Sequence, residues 1–199
     1  MTAPWTTAHS AALLRSRVLT VNFHHIAKHN RAEVTERLRQ ATRLGRSLLL
    51  DDEQQDCEPS IFVAFYDGYH DTGLFGAELC HRLGIRAYFF PVFASFDPAR
   101  GRLSDDDLGQ IAQVHELGYH TTSHLRAAQI TSENVDAEVL QPVERIRRIT
   151  GAGPRIAAWR GGTRFDDQTL GDRTLRELGV GYLVSNWSIE AVPVSSPAG

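Results

Sequence analysis

The chain has 199 residues, which is enough for one domain with a sizeable core that needs no disulfides or metal ions to hold it together. Its 21 basic and 24 acidic residues leave a net charge of −3, which argues against nucleic acids or an anionic membrane surface as partners. An apolar fraction of 42% and a charged fraction of 23% exclude a disordered chain.

Cysteine content and targeting signals favour a protein of the cytoplasm. Cys57 and Cys80 are too few for a disulfide framework, and we expect both to be reduced thiols. No stretch approaches 18 consecutive apolar residues, and the N-terminal segment lacks the basic and apolar regions of a secretion signal. We therefore predict a cytoplasmic protein that acts on a small-molecule substrate and has no membrane partner.

Strand-like and helix-like segments alternate along the chain. The predicted strands are 17–23, 47–50, 61–68, 85–93, 155–159 and 180–186. The predicted helices are 31–45, a helix after residue 68 that ends near Leu83, 104–118, 131–151 and 170–179. Pro142 should end or kink the fourth of these helices. This alternation predicts an α/β fold with a mostly parallel sheet.

Polar residues follow several of the predicted strands, at the ends where α/β folds carry their chemistry. Asp67 ends the strand that begins at residue 61, and His120 and His124 follow Gly118. Two imidazoles and one carboxylate can bind a divalent ion and leave positions open for water and substrate. Such an ion keeps a net positive charge and lowers the pKa of bound water to about 7. His25 and His29 have the same spacing, but we expect them to be structural or exposed.

The segments IFVAFYDGYHDT, GIRAYFFPV, GYHTTSHL and TGAGPRIAAWRGG together resemble the polysaccharide deacetylase family, also called carbohydrate esterase family 4 or the NodB-homology domain. The resemblance runs from about Val18 to Trp187. It implies a distorted (β/α) barrel, which we take as a single domain over residues 1–199. It also implies one divalent metal ion, bound by the Asp-His-His set described above. We expect zinc, with Fe(II), Co or Ni as alternatives.

The family's catalytic acid is usually a histidine near the C-terminus, and this chain has none there. A permuted branch, which resembles the poly-N-acetylglucosamine deacetylases, places that histidine early in a Tyr-His-x-Ile/Val segment. Phe23-His24-His25-Ile26 matches this arrangement. The resemblance to that branch therefore implies that His24 is the proton donor or a substrate contact.

Two motifs depart from the family pattern. The family's general base, an aspartate, is replaced by Tyr66, and a phenol with a pKa near 10 is a poor base at neutral pH. The third motif keeps Arg160 but has Gly-Gly-Thr in place of Pro-Pro-Tyr. In the family this arginine orients the base, so Arg160 is predicted as a catalytic residue that, without its partner aspartate, is free to pair with Asp67 or with a substrate anion. The resemblance implies that the Thr163 N–H could still stabilise the oxyanion, although two glycines loosen this loop. It also implies that Trp187 lies near the acyl group, but a place in the core suits Trp187 equally well. Three carboxylates are candidates to replace the missing base, namely Asp71, Asp166 and Asp167.

Three functions are compatible with these residues. The first is a metal-dependent hydrolase that acts on a small N-acyl or amide substrate, with altered proton handling at Tyr66. The second is a non-haem Fe(II) enzyme that uses O₂, because two histidines and one carboxylate also form the facial site of such enzymes. The third is an inactive binding module that retains its metal.

Overall fold

The computed structural model describes residues 18–50, 59–94, 98–185 and 188–193. The strands within these residues are β1 (Val18–Phe23), β2 (Arg46–Ser47), β3 (Ser60–Asp67), β4 (Tyr88–Pro91), β5 (Glu116–Leu117), β6 (Ile156–Ala158), β7 (Tyr182–Val184) and β8 (Ile189–Ala191). The α-helices are α1 (Arg31–Ala41), α2 (His70–Arg82), α3 (Asp105–Ala112), α4 (Gln141–Thr150) and α5 (Leu170–Glu177). Among these helices, none combines the length and the apolar character needed to cross a membrane.

The strands form one row in two hydrogen-bonded parts. The first part runs β1-β3-β4-β5 and is parallel throughout, with β2 added to β3. In the second part, β6 and β7 are parallel and β8 is antiparallel. A parallel bridge between Tyr119 and Ala157 joins the two parts, because Tyr119 donates to the Ile156 carbonyl at 3.0 Å and accepts from the Ala158 N–H at 2.9 Å.

The two faces of this row bury different clusters of side chains. Phe62, Ala64 and Tyr66 of β3 face an inner cluster that also contains side chains of β4, β6 and β7. The alternating residues of β3 pack with the helices in an outer cluster. Because β3 is buried on both faces, its sequence is almost continuously apolar. The strands surround an inner cluster and carry the helices outside, so the predicted α/β fold with a mostly parallel sheet is confirmed.

The largest errors in the predicted helix boundaries occur in two helices. The third helix ends at Ala112 instead of Gly118, and the short strand β5 follows it. Gly118 does not cap a helix. A Cβ at this position would lie 2.3 Å from the Phe90 ring, so only glycine fits where β5 approaches β4.

The second boundary concerns the long helix predicted for 131–151. It begins with a π-helical turn at Asp136–Leu140 and becomes α-helical only in α4, with Pro142 in the first turn of that helix. The N–H of Gln141 donates to the Asp136 carbonyl, five residues back. Pro142 has no N–H and cannot donate a helical hydrogen bond. The change from π-helical to α-helical hydrogen bonding therefore lies directly before Pro142.

Candidate metal centre

Three potential ligands converge at the carboxyl ends of β3 and β5. The Nε2 atoms of His120 and His124 lie 3.7 and 3.6 Å from Oδ1 of Asp67, and all three ligand atoms lie within 4.8 Å of one another. Bonds of about 2.1 Å to a tetrahedral ion separate neighbouring donor atoms by about 3.4 Å. Asp67 and His120 are buried, and His124 is half-buried. The group can therefore hold a divalent ion after small side-chain movements.

Unusual backbone conformations turn these side chains towards one another. Asp67, Thr121 and His124 have φ angles of 70°, 64° and 59°, in the left-handed region that non-glycine residues seldom adopt. In a regular strand, Tyr66 and Asp67 would point to opposite faces. The positive φ at Asp67 ends the strand geometry, so both residues reach the same end of the sheet. Strain of this kind is typical of functional sites.

Hydrogen bonding and burial prepare the ligands for a cation. Nδ1 of His120 bonds the Ala158 carbonyl at 2.7 Å, which leaves Nε2 directed at Asp67. Burial lowers the pKa of His120 to about 3, so the ring is neutral and able to bind a metal. Within the described part of the chain, His120 Nε2 and Asp67 Oδ1 are buried without a hydrogen-bond partner. Two orphaned acceptors that face each other fit a bound cation.

Burial shifts the pKa values of the other two potential ligands, Asp67 and His124, in opposite directions. Burial raises the pKa of the Asp67 carboxyl, and the nearby His24, His124 and Arg100 side chains act in the opposite direction. Burial also lowers the pKa of His124, while the Asp67 carboxylate acts in the opposite direction. A divalent cation at this position would replace lost hydration and favour the ionised carboxylate.

Glu138, in the π-helical turn, holds the loop that carries the two histidines. Its Oε2 accepts the N–H groups of Thr122 at 3.1 Å and Ser123 at 2.8 Å, and its carbonyl accepts the Tyr119 hydroxyl at 3.1 Å. Glu138 itself is buried. Glu138 was not predicted as a site residue because it lies in a predicted helix, 14 positions after His124, where a glutamate is ordinary.

A small cavity of about 40 Å³ lies beside the potential ligands, and His24, Tyr66, His120 and His124 line it. The Tyr66 ring stacks on His24 and on Phe90, with centroid distances of 5.0 Å in both pairs. Its hydroxyl is buried and has no hydrogen-bond partner among the described residues. Burial raises the pKa of Tyr66 well above its ordinary value, so the phenol remains protonated at neutral pH.

Two further predicted site residues, Arg160 and Thr163, are more exposed than the potential metal ligands. Gly161 and Gly162 line the cavity, whereas Arg160 before them and Thr163 after them are exposed and lie outside its lining. Gly161 and Gly162 have positive φ, and the predicted role of the Thr163 N–H at the oxyanion stays a prediction. Trp187 lies outside the described residues.

The candidate replacement bases do not reach the cavity either. Asp71 is exposed on the first turn of α2, 3.7 Å from Lys28 and 3.8 Å from Arg31. Asp166 and Asp167 are exposed in the loop before α5. The cavity wall instead contains Trp159, whose indole N–H donates to Asp172 at 2.8 Å. Trp159 was predicted only as the end of a strand.

Solved structures with the same fold include bacterial proteins that are named as deacetylases. IcaB from Ammonifex degensii has a TM-score of 0.65 and 14% identity over 89% of this chain and 86% of its own. The deacetylase domain of BpsB from Bordetella bronchiseptica has a TM-score of 0.62 and 16% identity, over 84% and 87% of the two chains. BA0330 from Bacillus anthracis, named as a polysaccharide deacetylase, has a TM-score of 0.62 and 20% identity over 80% of this chain. The match spans only 54% of that protein's length.

Sequence comparison points to the same group. No curated protein is significantly similar to the chain. A sequence profile of the polysaccharide deacetylase family matches residues 53–183, about two thirds of the chain, and this segment includes Asp67, His120 and His124. The chain belongs to the polysaccharide deacetylase family.

Proposed function

We propose that the protein is a metal-dependent hydrolase that removes a small acyl group from an N-acyl or amide substrate. The observation that carries this proposal is the convergence of Asp67, His120 and His124, with two buried donor atoms left unpartnered by the described residues. A divalent ion bound there would supply Lewis-acid chemistry, polarising an acyl carbonyl and acidifying water. Zinc is the ion we propose, because neutral imidazoles and one carboxylate suit it.

The residues around the ligands would bind the acyl group and handle protons. A cavity of about 40 Å³ takes a group of acetyl size, since one water needs about 10–15 Å³ by this measure. His24 lines the cavity and would protonate the leaving nitrogen. The Tyr66 phenol is protonated and would donate a hydrogen bond to the acyl group instead of acting as a base.

Acetate release from small N-acetyl compounds tests the proposal. Protein stripped with a chelator should be inactive, and one equivalent of zinc should restore activity. His124→Ala should lose bound metal and activity together, because it removes one of three ligands. His29→Ala is the matched control, since His29 is exposed on the chain before α1 and outside the cavity lining. Full metal retention by His124→Ala would contradict the ligand assignment.

A second function is tested in the same experiment. Tyr66 stands in the cavity where the resemblance places the hydrolytic base, and an Fe(II) enzyme that uses O₂ would not need that base. Uptake of O₂ by the Fe(II)-loaded protein, without acetate release, would favour this oxidoreductase. Tight metal binding with neither reaction would favour a binding module.

A further inference from the structure

Arg126 and Arg160 belong to two loops that meet beside the cavity. Arg160 directly precedes Gly161 and Gly162, which line the cavity. Its backbone N–H donates to the Leu125 carbonyl at 3.1 Å, so the loop after β6 lies against the loop that follows His124. Arg126 belongs to that second loop, and its Nε lies 3.9 Å from the position that a Cβ on Gly161 would occupy.

No carboxylate neutralises these two side chains within the described part of the chain. Both are exposed, and neither forms an ion pair there. Other arginines do have such partners: Arg86 and Arg155 share Glu116, at 2.6 and 2.7 Å. The rim therefore has a local positive charge in a protein whose net charge is −3.

The cavity below this rim is too small for a whole substrate. Its volume of about 40 Å³ accepts an acyl group, and the rest of the molecule must lie over the rim. Inside, the Tyr66 hydroxyl is unpartnered within the described residues, although only 4% of this residue is exposed. A ligand with a polar acyl group would satisfy this hydroxyl while its outer part meets the arginines.

We infer that the substrate carries an anionic group, a carboxylate or a phosphate, close to its acyl group, and that Arg126 and Arg160 bind it. Guanidinium groups form paired, charge-assisted hydrogen bonds with both anions. This inference rests on the proposed hydrolase function and names the chemical class of its substrate. Arg126 and Arg160 are then the residues that determine specificity.

Matched pairs of small substrates test the anion site. With zinc-loaded full-length protein, kcat/KM for N-acetylglycine should exceed that for N-acetylglycinamide by at least about tenfold. N-acetylethanolamine phosphate against N-acetylethanolamine makes the same comparison for phosphate, so the two pairs show which anion is preferred. Arg126→Gln and Arg160→Gln should each bring the preferred pair towards a ratio of one. Arg82→Gln, at the end of α2, should leave the ratio unchanged.

Calorimetric titration of the same compounds measures the site without turnover. The preferred anion should bind at least about tenfold more tightly than its neutral partner, and Arg160→Gln should abolish the difference. Equal binding of both pairs, or no measurable binding of either anion by the zinc-loaded protein, would overturn the anion site. Equal acetate release from charged and neutral compounds would refute the anion site and retain the hydrolase. If the protein prefers the anion in binding but releases no acetate, the anion site is retained and the hydrolase is refuted.

Discussion

The Tyr66 side chain is held in place by its neighbours before any substrate arrives. Its ring lies between His24 and Phe90, and a third aromatic side chain, His120, tilts against it at 5.4 Å. Rings packed on both sides fix the direction of the hydroxyl. Because this hydroxyl stays protonated, the residue can donate a hydrogen bond but cannot take a proton from water.

Two substitutions of Tyr66 distinguish hydrogen-bond donation from proton acceptance at this position. Tyr66→Asp should raise acetate release by part of the 10²–10⁴-fold that a general base contributes, because a carboxylate can accept the proton. Tyr66→Phe keeps the ring packing and loses the hydroxyl, so acetate release should fall. Acetate assays and O₂ uptake on both variants check this, with Tyr69→Phe as a control outside the cavity lining.

The outcomes also distinguish the competing functions. If Tyr66→Asp leaves hydrolysis negligible and abolishes O₂ uptake, the protein is an oxygen-dependent enzyme. Unchanged activity in both variants would mean that Tyr66 only packs.

Among the elements, the π-helical turn supports the metal ligands from outside. Glu138 holds two N–H groups of the histidine loop, and hydrogen bonds to a charged group contribute about 1.5–3 kcal/mol each. Thr121 and His124 need this support because their backbone is strained. The turn therefore stabilises a loop conformation that the loop's own sequence does not favour.

Glu138→Ala should weaken zinc binding by about 10–100-fold, the usual cost of losing a group that orients metal ligands. Glu138→Gln should restore part of the affinity, because its amide oxygen can still accept from Thr122 or Ser123. Competition with a chromogenic chelator measures both values. Glu144→Ala, in the exposed ion pair with Arg147, is the control. Equal zinc affinity in Glu138→Ala and the control would show that the histidine loop keeps its conformation without Glu138.

His115 links a helix to the sheet through an uncharged ring. It is 2% exposed, its Nδ1 accepts the Ala87 N–H at 3.3 Å, and its Nε2 donates to the Ala77 carbonyl of α2 at 2.9 Å. These partners assign the tautomer. Burial lowers the pKa of His115, so the folded protein takes up this proton only at a more acidic pH than the unfolded chain does.

The stabilisation from His115 should be complete above its ordinary pKa of about 6.5 and be lost as the pH falls towards the folded pKa. Over that range, the free energy of unfolding should fall by up to about 1.4 kcal/mol per pH unit from this group. Urea unfolding between pH 7 and pH 5 should therefore show a smaller pH dependence in His115→Gln than in the wild type. His29→Gln, at an exposed histidine, should keep the wild-type slope. Identical slopes in all three proteins would be incompatible with a neutral, buried His115.

At the scale of the whole molecule, the metal should contribute to stability because its ligands come from distant parts of the chain. Zinc at 100 times its Kd should add about 2.7 kcal/mol to the free energy of unfolding. For a protein of this size, that corresponds to a rise in Tm of about 5–10 °C. Calorimetric melting with zinc and with a chelator measures the shift, and His124→Ala should show almost none. A wild-type Tm that zinc does not change would count against a site in the folded state.

The alternation of segments predicted the α/β fold well, because long apolar strands such as β3 have a strong local signal. The short strand β5 was missed because two residues carry no periodicity, and Gly118 resembled a helix end. For the candidate site, the sequence motifs named the three side chains that the structure brings together. Glu138 and Trp159 could not be predicted in the same way, since their places depend on contacts between distant segments.

The π-helical turn also makes the centre sensitive to chain length. The hydrogen bond from Gln141 to Asp136 spans five residues, one more than in an α-helix. Deleting one residue between these positions would restore α-helical spacing and rotate the preceding residues by about 100° relative to α4. Glu138 would then point away from Thr122 and Ser123, although no ligand had been altered. A sequence alignment that opens a gap in this turn therefore marks a change at the metal centre itself.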